Sequence, residues 1–302
     1  RDPSAMSHLI AAPIVACFGA LLVPTVDPPS TARAAQPGFQ MARRVNTPIR
    51  HLEVRRRKVL IVAVGQSNNG LLIEPDGPDP VLDAPDARIL ELSRGILRNG
   101  YEVAPVGERH VFQHPAQDDR GGICMRLAGA KALLSSNPAI EEVTLFCGAM
   151  GGTSLAPGLG GWAVDGPLTQ RAIDWCAPFM AANPDHEVIF WCSLGATDAM
   201  LGMSASSYRQ QLARLADTLR TNIPGAKNAF WVQADMPRDL VDVIDGTIGN
   251  GTNILEAQNS VAAYLPDSGA VTMFDLPTYD GRHIDAEGLR VLGARMGFAS
   301  RL

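Results

Sequence analysis

Three short clusters in this 302-residue chain hold residue types that can do chemistry together. The first is Gly65, Gln66, Ser67 and Asn68. A serine hydroxyl becomes a nucleophile when a base takes its proton, and nearby backbone N–H groups can hold the oxyanion that its attack creates. Asn69 follows, so the G-x-S-x-G elbow is not met. By itself the tetrapeptide would equally suit a polar turn. The second cluster, residues 148–154, reads GAMGGTS. Its paired Gly151 and Gly152 let the main chain approach a ligand closely and aim N–H groups at developing negative charge. A tight turn needing positive φ would use the same residues. The third is Asp280, Gly281, Arg282 and His283. An aspartate three residues before a histidine can hold Nδ1–H and leave Nε2 to accept a serine proton. Asp285 competes for that role, but it stands where a helix N-cap belongs. Of six histidines, only His283 combines such a setting with an adjacent acid.

Positioning these clusters requires strands that end beside one another. Residues 58–64 form a short apolar, β-branched run, the pattern of a strand buried on both faces. Similar runs recur at 143–147, 188–192 and 229–232, with 271–274 weaker. Apolar residues at helical spacing fill 122–135, 168–181, 206–219, 254–264 and 285–298. Alternating strands and helices predict a parallel sheet covered by helices on both faces. Ligands in such sheets lie beyond the carboxyl ends of the strands, where the first two clusters fall. Residues 68–118 read as a long loop-rich insertion.

The composition bounds the rest. With 46% hydrophobic residues, the chain can bury a large core without disulfides or metals. The net charge of −5 argues against nucleic acid as the main partner. Residues 1–58 hold nine basic and three acidic residues, a net of +6, which leaves −11 for the remainder. Cys17, Cys124, Cys147, Cys176 and Cys192 match no zinc or disulfide pattern and read as buried thiols. Residues 9–26 are apolar and are followed by Ala32, Arg33 and Ala34, like a signal-peptidase site. The basic cluster after that run opposes export. Localisation is thus left between an exported and a cytoplasmic protein. Residues 1–57 are read as an N-terminal extension, a leader or basic arm that offers a membrane contact, and 58–302 as the catalytic domain.

With these motifs in order, the sequence resembles the SGNH-hydrolase superfamily. It is most similar to the branch of sialate O-acetylesterases and acetylxylan esterases. GQSN, GGTS, a strand running into LGATDA, and D-x-x-H before the last helix carry the resemblance across 58–302. The resemblance implies a flavodoxin-like three-layer α/β/α sandwich with a mainly parallel sheet, no cofactor and no metal. It implies Ser67 as nucleophile, His283 as base and Asp280 as its partner, with N–H groups of Ser67 and Gly152 in the oxyanion hole. Its substrates are acetylated carbohydrates, which Gln66, Asn68, Gly151 and Thr153 would contact. Trp162 would either stack on a sugar ring or pack against its own loop. One departure stands out. The branch carries Trp-x-Gln-Gly-Glu-Ser-Asp where this chain has Trp191 to Asp198, so Leu194 stands at the oxyanion glutamine's position. Ser193 could compensate. A binding module on a degenerate esterase fold, or a lipase or thioesterase of the same superfamily, are the competing expectations.

Overall fold

The computed structural model describes residues 56–69, 78–92, 107–113, 123–158 and 161–301. The leader-like stretch, Cys17 and the first residue of the helix expected over 122–135 lie outside them. Seven strands make one sheet: β1 (Arg57–Gly65), β2 (Ile89–Leu92), β3 (Arg109–Val111), β4 (Ile140–Cys147), β5 (His186–Ser193), β6 (Phe230–Ala234) and β7 (Ser268–Val271). Their order is β3-β2-β4-β1-β5-β6-β7. All neighbours are parallel except β2 and β3, so β3 closes one edge in the antiparallel sense.

Helices α1 (Met125–Ser136) and α7 (Ala286–Ala299) cover one face. Helices α2 (Pro167–Ala182), α4 (Ala205–Asn222), α5 (Arg238–Thr247) and α6 (Gly251–Asn259) cover the other, and α3 (Ala196–Met200) follows β5. β1 explains the two cores. Val59 and Ile61 pack with α1 and α7, while Leu60, Val62 and Val64 pack on the opposite side. A central strand apolar at every position from Val59 to Val64 is buried on both faces, and the three-layer α/β/α sandwich follows.

Three element expectations are corrected. The last strand ends at Val271 instead of starting there. The Asp235 carboxylate takes the Met273 N–H at 2.5 Å, which removes that donor from the ladder. The helix expected over 254–264 is α6 followed by a 3-10 turn, Val261–Ala263. Ser260 between them bonds back to the Glu256 carbonyl at 2.7 Å, a local alternative to helix continuation. The insertion contains β2 and β3, four and three residues long and too short to show periodicity. Cys124, Cys147, Cys176 and Cys192 are free and buried.

Candidate active site

Ser67 stands just beyond the carboxyl end of β1, the strand between β4 and β5. The turn that carries it is tight. A Cβ on Gly65 would lie 2.9 Å from the Ser193 carbonyl and from Asn69 Cβ, so only glycine fits. The Gln66 N–H donates to the Ser193 carbonyl at 3.1 Å, and a 3-10 turn, Ser67–Asn69, follows. The Asn69 amide donates to the Val64 and Trp191 carbonyls at 2.9 and 3.0 Å. These bonds leave Ser67 partly exposed while its neighbours are buried.

The glycine loop after β4 is fastened to that turn through one carbonyl. Gly65 O accepts the Met150 N–H and the Trp162 indole N–H, both at 3.0 Å, and the Thr153 hydroxyl at 3.4 Å. Gln66 donates its amide to the Thr153 carbonyl. A Cβ on Gly151 would lie 3.9 Å from Ser67 Cβ, and Gly152, at φ 72°, lines the cleft in front of the serine. Trp162 is fully buried, so the sugar-stacking expectation is corrected: its ring packs against the loop. Thr153 turns its hydroxyl toward the Met150 carbonyl at 2.7 Å and stands outside the cleft wall, as does Gly151.

The third cluster lies between β7 and α7. The Asp280 carboxylate meets His283 Nδ1 at 2.7 Å and accepts the His283 and Arg282 N–H groups at 2.7 and 2.9 Å. Burial works to raise the Asp280 carboxyl. The hydrogen bonds from His283 and Arg282 outweigh it and hold the carboxyl below its ordinary range. Asp285 caps α7, accepting the Gly288 N–H at 2.8 Å, in line with its structural assignment. Tyr279, which the motif reading passed over, stacks on His283 with ring centroids 5.9 Å apart. An aromatic directly before the aspartate was the available signal.

Ser67 and His283 line one cleft of about 210 Å³. Among the described residues no hydrogen bond joins them. Ser193, Leu194, Thr197, Asp235 and Gln258 also line the cleft, with Met200, Met236, Pro237 and Leu240 as an apolar wall. The Leu194 side chain is held there by its own carbonyl, which accepts the Tyr208 hydroxyl at 2.9 Å and the Gln258 amide at 2.6 Å. Behind the glycine loop, buried Asp198 accepts the Leu155 N–H at 2.7 Å. Burial pushes the thiols of Cys124, Cys176 and Cys192 up, so none of them competes as a nucleophile. Among the described residues, no group of three or more His, Cys, Asp or Glu is placed to hold a metal ion.

Comparison with known proteins follows the same span. A family model described as "Carbohydrate esterase, sialic acid-specific acetylesterase" matches residues 57–300. Similar solved structures include a protein from Arabidopsis thaliana, with TM-score 0.63 and 20% identity over 80% of this chain and 96% of that one. NanS gives a TM-score of 0.59 at 15% identity over 81% of this chain and 97% of that one. A carbohydrate acetylesterase from Xanthomonas citri gives 0.54 at 19% over 80% of this chain and 55% of that one. At such identities these likenesses establish the fold. No curated protein matches the sequence. The family match runs from the first residue of β1 to just past the end of α7, and the chain belongs to the carbohydrate esterases of the sialic acid-specific acetylesterase family.

Proposed function

We propose that this protein removes O-acetyl groups from carbohydrates through an acyl-enzyme on Ser67. One observation carries the reading. A histidine already oriented by a carboxylate, at 2.7 Å, shares a small cleft with a serine at a strand's carboxyl end. In the first step Ser67 Oγ attacks the acetyl carbon while its proton passes to His283 Nε2. The oxyanion receives the N–H groups of Ser67 and Gly152. His283 then gives the proton to the departing sugar oxygen, and the acetyl group stays on Ser67. In the second step water loses a proton to His283 and attacks the ester, releasing acetate and restoring the serine. Asp280 keeps Nδ1 protonated throughout and stabilises the imidazolium.

Leu194 offers no hydrogen bond to the oxyanion. A missing donor of this kind costs about 10²–10³ in rate. The Ser193 hydroxyl in the same cleft wall is the nearest replacement in sequence. The acetylated-sugar substrate follows from family membership. The apolar wall of Met200, Met236, Pro237 and Leu240 is the feature that favours the lipase or thioesterase alternative.

A fluorophosphonate probe tests the nucleophile, with intact mass read for the native chain and for Ser67→Ala. Stoichiometric labelling of the native chain alone is expected, together with turnover of acetylated xylan or O-acetyl sialic acid ahead of long-chain esters. An unlabelled, folded native chain sinks the acyl-enzyme, and glycan binding becomes the function to measure.

A further inference from the structure

We propose that Asn68 is a positioning residue that sets His283 against Ser67, an inference that rests on the serine mechanism above. Asn68 follows the serine directly and is 8% exposed. Its amide N–H donates to the Arg282 carbonyl at 3.3 Å, and its oxygen accepts the Ile284 N–H at 3.3 Å. Those two backbone groups belong to the residues on either side of His283. The Asn68 amide nitrogen also lies 3.9 Å from Met273 Sδ.

Asp280 cannot do this job. It lies three residues from His283 on the same loop, so its bonds set the ring's tautomer and tilt but not the loop's distance from Ser67. Asn68 reaches across 214 residues of sequence to Arg282 and 216 to Ile284. Among the described residues, no other side-chain hydrogen bond joins the Ser67 turn to the loop of residues 277–284. Ile284 is fully buried and pairs with Thr278 in an isolated β-bridge, so one of the clasped peptides is itself packed into the fold.

The residue type fits the task. A carboxamide presents one donor and one acceptor in a plane and matches a C=O and an N–H as a ladder neighbour would. Aspartate brings acceptors only, leucine neither, and glutamine is one methylene too long. Both polar ends of the amide are engaged by the base's loop, while Asn68 also lines the cleft.

The experiment compares Asn68→Leu and Asn68→Asp with the native chain, on a chromogenic acetate ester and by fluorophosphonate labelling. Folding is checked by circular dichroism. In N68L, kcat and labelling rate should fall on the order of 10–100-fold with KM unchanged, the scale of a misplaced catalytic group. N68D, nearly isosteric, keeps the fold and carries the test if N68L does not. Its carboxylate favours the imidazolium, so the acid limb of kcat/KM should move to higher pH. The other charges around His283, namely Asp280, Arg282 and Asp235 in the cleft wall, are the same in both chains. Native kcat in N68L, a raised KM with kcat intact, or an unmoved acid limb in N68D each overturns the assignment. A native chain that does not label sinks the Ser67 mechanism itself and this inference with it.

Discussion

Asp198 carries a charge where the surroundings disfavour one. Its side chain is buried behind the glycine loop, and among the described residues one of its oxygens has no hydrogen-bond partner. Burial raises its carboxyl to about 6 from 3.8, against the pull of the Leu155 N–H. Below about pH 4 the folded and unfolded chains both hold this proton, and nothing is lost. Between about 4 and about 6 the unfolded chain ionises first and stability falls. Above that the full cost of about 3 kcal/mol is in place. An asparagine at this position would be neutral throughout and still accept from Leu155. Asp198→Asn should therefore raise Tm relative to the native chain at pH 8 and leave it unchanged at pH 4. An equal shift at both pH values contradicts this account. Individual residues were legible to the extent that their partners are near in sequence. Asp280 and His283 sit three apart, and Asp285 announces its own helix. Trp162 was misjudged, and the bonds of Asn68 went unseen, because their partners, Gly65 and Arg282, are distant in the chain, and no local pattern encodes such a contact.

Between elements, the seam of α1 and α7 is a close backbone approach. Gly129, Gly293 and Gly297 bring the two backbones together. A Cβ on Gly293 would lie 2.1 Å from the Met125 carbonyl, and one on Gly297 would lie 2.3 Å from the Gly129 carbonyl. Alanine normally favours a helix interior over glycine by about 1 kcal/mol. Here the clash is with main chain, and the helices must separate to admit a methyl group. Gly293→Ala should lower Tm, by about 1–3 kcal/mol of stability or more. A neutral or stabilising result in thermal denaturation would mean the seam is looser than drawn. The long apolar strands and the well-patterned helices could be read from sequence because their burial is continuous or periodic. β2 and β3 could not, being too short. α5 escaped notice although Leu240, Val241 and Ile244 form its buried face.

Across the whole molecule, the two ends of the sheet are held by different forces. At the amino end of β5, His186 is closed between Asp185 and Glu142 at 3.2 and 3.1 Å, and Lys58 pairs with Asp185. At the carboxyl end, neutral bonds to the main-chain carbonyls of Gly65, Leu194 and Arg282 stand beside carboxylates that accept main-chain N–H groups, those of Asp198, Asp235 and Asp280. Ser67 follows the first described strand and His283 comes from the loop before the last helix, so the cleft they line exists only when nearly the whole described chain has folded. That loop runs directly into α7, whose contact with α1 is backbone on backbone. With the backbones in contact at these glycines and the flanking side chains sharing one core, the helices are expected to part together. In deuterium exchange read peptide by peptide, the amides of α1 and α7 should take up label at one shared, slowest rate. Earlier uptake in α7 would mean that it peels away alone and that the histidine's mooring is lost before the fold is.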